Sequence, residues 1–322
     1  MKAIRVHEFG GPDVLKYEDV PAPSPKTGEV LVRIEAAGVN FIDIYQRIAV
    51  YKIPLPVTLG QEGAGVVTAL GEGVAGIKTG DRVAWTSILG GYAEQIALPA
   101  DRVVKLPDGV TTRQGAAVML QGMTAHYLAT STYPLKRGDA CLVHAGAGGV
   151  GLLLTQIAKL RGATVITTVS TDEKARLSRE AGADHVVEYT HEDFEAAVKN
   201  LTGGKGLQVV YDSVGQTTYM KSLNCLAPRG LLALFGQSSG VVPPLDPQLL
   251  AQRGSLFFTR PTLGNYIATR AELDARASDL FGWIRDGKLR LRMEHDFPLK
   301  DAARAQEALA GRKTTGKVLL IP

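Results

Sequence analysis

Short apolar runs separated by turn residues dominate the N-terminal third of the chain. Residues 30–36 alternate in part between apolar and polar, and 63–70, 82–85 and 92–98 are further strand candidates. A proline-rich stretch, 21–25, and the glycine-bearing segments 71–73 and 79–81 punctuate them. This spacing predicts a β-rich domain, a partly open barrel. Beyond residue 112 the period changes. A helix is expected over 114–129, then strands at 140–144, 164–169, 185–188, 208–212, 230–235 and 255–259. Helices at 149–161, 173–181, 192–202 and 216–226 fill most of the gaps. That alternation predicts an α/β architecture with a parallel, doubly wound sheet. Helices near 269–287 and 300–310 and a strand over 317–321 follow, and this tail is expected to rejoin the first domain.

The strand at 140–144 runs into GAGGVG at 146–151, and an apolar stretch, 152–160, comes next. Strand, glycine turn and helix with G-x-G-x-x-G spacing form a dinucleotide-binding pattern. Gly146 is assigned to the tight turn, Gly148 to close approach of backbone to a pyrophosphate, and Gly151 to packing of helix on strand. The helix N-terminus adds N–H groups and a positive dipole end for phosphates. A length of 322 residues suits two domains, and the mid-chain place of the motif requires one to precede it.

Composition narrows the class further. Hydrophobic residues make up 45% and charged residues 21%, as in soluble globular proteins. No apolar run reaches the ~20 residues of a membrane span, and residues 1–11 lack the apolar core of a signal peptide. Two cysteines, Cys141 and Cys225, cannot build a disulfide framework and suit a reducing, cytoplasmic setting. The net charge of +4 is not gathered into basic clusters, which argues against a nucleic-acid partner.

Several motifs together carry a family resemblance: AAGVNFIDIY (36–45), LGQEGAGVV (59–67), GIKTGDRV (76–83), LQGMTAHYL (120–128), HAGAGGVG (144–151), YDSVG (211–215), LALFGQSSG (232–240) and FPLKDAARAQEAL (297–309). Over essentially its full length the chain resembles the medium-chain dehydrogenase/reductase superfamily, and within it the zinc-free, zeta-crystallin-like quinone oxidoreductases. The resemblance implies a discontinuous GroES-like catalytic domain (1–123 and 262–322), a Rossmann domain (124–261) and a cleft between them. It also implies NADPH and a homodimer built through the Rossmann domain.

Zinc-dependent members carry a cysteine and a His-Glu pair in the first domain. Here Asn40 stands at the cysteine position and Gln61 at the histidine, beside Glu62, and the four-cysteine structural lobe is missing. Glu62 and Asp43 alone make a poor zinc site, so no catalytic metal is expected. The chemistry is constrained accordingly. Zinc normally stabilises the alkoxide formed from a simple ketone. Without it, the acceptor must delocalise the charge, as a quinone does in becoming an aryloxide of pKa about 10. Enones, meaning α,β-unsaturated carbonyls, come second.

The strand at 164–169 ends without an acid at its tip, where NAD enzymes place Asp or Glu on the ribose. Asp172 follows, but 170–173 reads as a capping box with Ser170 at the N-cap. By position alone Lys174 reads as a solvated helix lysine. The resemblance instead places Ser170, Lys174 and Tyr189 on NADPH. It puts Gly149, Val150, Ser213, Phe235, Gly236, Ser238 and Arg312 along the cofactor as well. The loop bearing Asn40, Phe41, Asp43 and Tyr45 is expected beside the nicotinamide, with Thr124 and Tyr127 as neighbours. Asn40, Asp43, Tyr45 and Tyr51 are the substrate candidates, and no residue is assigned as acid or base. Asn40 also reads as a turn former, Asp43 as a solvated or capping acid, and the tyrosines as packing aromatics.

Two other classes match parts of the sequence. Residues 236–240 match G-x-S-x-G, but the prolines at 243–244 oppose the helix a hydrolase nucleophile elbow needs. Some zeta-crystallin-like relatives are lens proteins or bind RNA, which leaves a non-enzymatic, NADPH-binding role as an alternative.

Overall fold

A computed structural model describes residues 1–322. Two compact units account for the chain: Met1–Met123 together with Tyr266–Pro322, and Thr124–Asn265.

The first unit contains strands β1 (Lys2–Val6), β2 (Lys16–Asp19) and β3 (Glu29–Val39), helix α1 (Phe41–Arg47), then strands β4 (Val57–Thr58), β5 (Glu62–Leu70), β6 (Arg82–Thr86), β7 (Gln95–Pro99) and β8 (Val103–Lys105). Helix α2 (Thr112–Tyr127) leads out of it. In the second unit β9 (Ala140–Val143), α3 (Gly149–Leu160), β10 (Thr164–Val169), α4 (Asp172–Glu180), β11 (His185–Glu188), α5 (Phe194–Leu201), β12 (Leu207–Asp212), α6 (Tyr219–Asn224), β13 (Leu226–Leu234), α7 (Gln248–Gln252) and β14 (Phe257–Thr259) follow in order. A single turn, α8 (Leu263–Tyr266), precedes α9 (Arg270–Arg285), β15 (His295–Pro298), α10 (Ala302–Ala310) and β16 (Val318–Ile321).

The second unit's sheet runs β11-β10-β9-β12-β13-β14, every pairing parallel. This is the doubly wound order in which the chain reverses direction beside the first strand. The reversal falls between β9 and β12, so the glycine turn after β9 opens at the switch point. Helix α3 buries Leu152, Leu153, Leu154, Ile157 and Ala158, which fixes its N-terminus against the strand ends.

In the first unit a seven-stranded sheet places β16, β3 and β5 side by side. The last strand thus pairs with β3, Val318 opposite Val39 and Leu319 opposite Gly38. Trp85, Tyr92, Val32, Leu98, Val318 and Leu320 belong to one buried core. Alternation located β3, β5 and β6, but β1, β2, β4, β8 and β15 were missed. These are two to five residues long, too short to display a period.

Candidate functional site

The glycine turn lies at the C-terminal edge of the parallel sheet. Its left-handed residue is Ala145 (φ 53°), one position ahead of the glycine expected to make the turn. Gly146 serves another purpose. A Cβ there would lie 2.6 Å from Thr167 Cβ on β10 and 2.9 Å from Ser178 Oγ on α4. At Gly151 a Cβ would lie 2.2 Å from the carbonyl oxygen of Ala145, as the helix-packing role requires. Gly148 is the N-cap of α3 and contributes no side-chain cap. The first-turn amides of α3, starting at Gly149 and Val150, therefore receive no hydrogen bond from a side chain at the cap position, which fits a pyrophosphate.

Behind this turn lies a closed polar network. His144 contacts Thr168 Oγ1 through Nδ1 (2.9 Å) and Ser222 Oγ through Nε2 (3.0 Å). Ser222 donates to Asp212 (2.9 Å), so it must accept from His144, and Nε2 carries the ring proton. Asp212 also accepts from the amides of Val214 and Gly215 and from the Thr218 hydroxyl. Burial lowers the His144 pKa, with Asp212 opposing, and keeps the ring neutral. The network ties the ends of β9, β10 and β12 together, holding the surface on which a dinucleotide would lie.

At the tips of β10 and β11 the structure corrects the capping box. The N-cap of α4 is Thr171, whose hydroxyl accepts from the Lys174 amide at 3.3 Å. The cap has moved one residue along, so Ser170 is not consumed by it. Its Oγ accepts from Lys174 Nζ at 3.4 Å instead. Val169 pairs with Glu188, which brings Ser170 and Tyr189 abreast on neighbouring strands. Ser170, Lys174 and Tyr189 are thus assembled in one place.

Across the sheet, the loops after β12 and β13 pack closely. A Cβ on Gly236 would meet Ser213 O at 2.5 Å, and Ser238 N–H donates to Ser213 O at 3.2 Å. Ser213, Phe235, Gly236 and Ser238 all keep partial exposure there. No helix follows Ser238 until α7, so the nucleophile-elbow reading fails on geometry.

In the first unit the expected loop at 40–45 is a helix. Asn40 is the extended N-cap of α1, and the Asp43 carboxylate accepts the Asn40 N–H at 2.8 Å. Asp43 is thus the capping acid that was one of its two expected roles, and the Asn-x-x-Asp spacing is the signal for this half of a capping box. One face of α1 carries aromatics: Phe41 and Tyr45 have ring centroids 6.0 Å apart, and Tyr51 stands edge-on to Tyr45 at 5.6 Å. Tyr51 is 37% exposed, and Phe41 and Tyr45 are half-buried.

The other face is buried and polar, which corrects one expectation. Asp43 is fully enclosed rather than solvated, so it cannot meet a substrate directly; it also accepts from the Tyr92 hydroxyl at 2.8 Å. Asn40 is 3% exposed, and its amide is largely committed. Nδ2 donates to Glu62 Oε1 at 2.6 Å, while Oδ1 accepts from Gln121 Nε2 and Lys317 Nζ, both at 3.1 Å. Lys317 also forms a buried ion pair with Glu62, whose Oε2 accepts the Leu120 amide at 2.7 Å. Lys317, Glu62 and Gln121 were not among the candidate residues. A second correction concerns Tyr127, which is 1% exposed on α2 and packs in the interior instead of facing a cofactor. Thr124 on the same helix is buried, and Arg312 is exposed at the turn after α10 with φ 57°.

Burial pushes the Asp43 carboxyl up to about 7, against the opposing hydrogen bonds from Asn40 and Tyr92. Its folded pKa exceeds the unfolded value of about 3.9. The protonated form is therefore favoured by folding, and that stabilisation is complete below about pH 4 and lost as pH rises through about 7. Asp43→Asn removes this dependence. Thermal melts should show the variant's deficit at pH 5 shrinking by pH 8, whereas a constant offset would mean that Asp43 is ionised throughout.

Two family models match the chain: an alcohol dehydrogenase GroES-like domain over residues 26–108 and a zinc-binding dehydrogenase model over 149–275. A quinone oxidoreductase of Pseudomonas aeruginosa is 49% identical, covering 100% of this chain and 99% of its own. A 2-haloacrylate reductase of Burkholderia sp is 42% identical, with 98% of each chain covered. The crystal structure of Escherichia coli quinone oxidoreductase complexed with NADPH superposes with a TM-score of 0.98 at 44% identity, covering both chains completely. The chain belongs to the medium-chain dehydrogenase/reductase superfamily. Its place within that superfamily is the quinone oxidoreductase branch.

Proposed function

We propose that this chain is a metal-free reductase that uses NADPH to reduce quinones. The observation that carries the reading is the assembly of Ser170, Lys174 and Tyr189 beside an acid-free strand tip, on the same sheet edge as the α3 N-terminus. These residues would hold the 2′-phosphate and adenine end. Gly148, Gly149 and Val150 would cradle the pyrophosphate, with Ser213, Phe235, Gly236 and Ser238 along the groove. NADPH, when bound, supplies reducing equivalents from nicotinamide C4. Arg312 is a further candidate contact.

In the first unit, the aromatic face of α1 suits a planar acceptor. Phe41, Tyr45 and Tyr51 offer stacking surface, the two tyrosines add phenolic hydroxyls, and Asn40 contributes the remaining N–H of its amide. The relatives' zinc ligand positions support metal-free chemistry through what this chain has there. Asn40 and Glu62 bind each other and an ammonium, and no group of three His, Cys, Asp or Glu converges anywhere. An acceptor that spreads its own charge then fits best. The haloacrylate reductase relative favours activated alkenes next to a carboxyl or carbonyl as the second reading.

The catalytic division of labour would follow residues 1–123 with 262–322, and 124–261. We further propose a homodimer through the outer edge of the parallel sheet, where β14 presents Phe257 at 60% exposure. A cytoplasmic setting fits two cysteines that are free and buried. No helix is long and apolar enough to cross a membrane.

Steady-state turnover with a simple quinone, run with NADPH and with NADH, tests the reading together with Lys174→Glu. The variant should raise the Michaelis constant for NADPH roughly tenfold or more, since it reverses a charge-assisted contact, and leave NADH little changed. Equal effects on both cofactors would remove Lys174 from the phosphate site. Absence of multiple turnovers would favour a binding role without catalysis.

A further inference from the structure

Three adjacent strands bring their ends together in the first unit. Extending the β16–β3 register by one residue sets Lys317 opposite Asn40, and extending the β3–β5 register sets Glu62 opposite Gly38. Residues directly opposite share a sheet face, as do residues two apart on one strand. Lys317, Asn40, Gly38 and Glu62 therefore project to the same side. The central strand carries no side chain at Gly38, so the two outer side chains meet over it. A Cβ there would lie 2.2 Å from Glu62 Oε1 and 2.5 Å from Lys317 Nζ.

This arrangement decides which way the Asn40 amide points. Glu62 can only accept, so it must face Nδ2; Lys317 can only donate, so it must face Oδ1. Gln121 Nε2 also donates to Oδ1 and favours the same orientation. The ammonium is the one positive charge hydrogen-bonded in the cluster, and it is 3% exposed. Without it a buried carboxylate would lose its counter-charge, and Oδ1 would lose one of its two donors. Asn40 is also the N-cap of α1, so its orientation is coupled to the start of the helix that carries Phe41 and Tyr45.

We propose that Lys317 is a positioning residue of the reductase: reaching across β3 over Gly38 to Glu62, it locks the Asn40 amide and the start of α1 in a single geometry. This rests on the reading that the acceptor and nicotinamide meet the Asn40 end of α1. The residues proposed for the phosphates and adenine lie in the other unit, so the consequence should fall on turnover and not on cofactor affinity.

Lys317→Met, Asn40→Ala and the charge-free pair Glu62→Gln/Lys317→Met provide the test. Each is measured for kcat and KM with NADPH and a quinone, for NADPH binding by fluorescence titration, and for thermal melting. Lys317→Met should lower kcat roughly tenfold or more, as expected when a reacting group is misplaced by about 1 Å, with NADPH affinity unchanged. The double variant should recover thermal stability, because no buried charge is left unpaired, yet keep the low kcat. Recovery of stability and kcat together would reduce Lys317 to a structural role and overturn the proposal. So would a near-normal kcat in Lys317→Met while Asn40→Ala is impaired, which leaves the reading of Asn40 intact. Normal kcat in both single variants would overturn that reading as well. Should Lys317→Met fail to fold, the double variant carries the same decision.

Discussion

Gly151→Ala should cripple the dinucleotide site. In a helix alanine is normally favoured over glycine by about 1 kcal/mol. Here the added Cβ would lie 2.2 Å from the Ala145 carbonyl oxygen and 3.0 Å from the Ala145 carbonyl carbon. Both are backbone atoms of a turn fixed at φ 53°, so no side chain can swing aside. Relief requires α3 to move away from β9 and to carry its first-turn amides with it. Overpacking of this kind typically costs about 1–3 kcal/mol, occasionally more, and outweighs the gain in helix propensity. The expected result is a melting point lowered by several degrees, roughly 2–4 °C per kcal/mol, and an NADPH dissociation constant raised roughly tenfold or more, each tenfold being about 1.4 kcal/mol. Gly282→Ala is the control. It is also a helical glycine, in α9, but a Cβ there has no heavy atom within 4 Å. It should leave NADPH binding untouched and be neutral or slightly stabilising. If the two variants melted and bound alike, the close contact at Gly151 would have no consequence.

The second large effect is expected at Gly38. Its missing side chain is where Lys317 and Glu62 meet, and both are held by Asn40 as well. The atoms a methyl group would strike are the ends of flexible side chains, which ordinarily makes such a clash cheap. These ends are enclosed, however, and cannot retreat without giving up charged hydrogen bonds. Removing one partner of a buried pair costs about 3–5 kcal/mol, and pushing both apart while they retain some contact should cost about 2–4 kcal/mol. Gly38→Ala should therefore melt several degrees below the parent. It should also lower kcat at temperatures where it remains folded, because Asn40 loses its fixed orientation. NADPH titration should be close to normal, the opposite pattern to Gly151→Ala. Normal turnover in a destabilised Gly38→Ala would separate the ion pair from the reaction.

The two glycines differ in how readily a sequence discloses them. Gly151 belongs to a local pattern, six residues between a strand and a helix, and its packing role was legible from the spacing. Gly146 was legible only as important: the left-handed turn belongs to Ala145, and Gly146 is small because β10 and α4 press on it. The alternation after residue 112 likewise disclosed the six strands of the parallel sheet, with the 185–188 strand coinciding with β11. Short polar strands such as β2 and β15 were invisible for want of a period. Ser170, Lys174 and Tyr189 were indicated by resemblance, and the one-residue shift of the α4 cap brought the first two into contact.

What the amino-acid order determined by itself was everything carried by neighbours within a turn or a pleat. This covers the two kinds of hydrophobic period, the glycine turn, the acid-free tip of β10 and the absence of zinc-ligand residue types at 40 and 61. The tertiary structure alone decided which side chains became enclosed. It buried Asp43 and Tyr127, which the reading of the chain had turned toward ligands. It also joined Lys317 to Asn40 across 277 positions and to Glu62 across 255. The reason is physical. Periodicity and capping are set by atoms a few residues apart, whereas the meeting of three strand ends depends on register accumulated over a whole sheet.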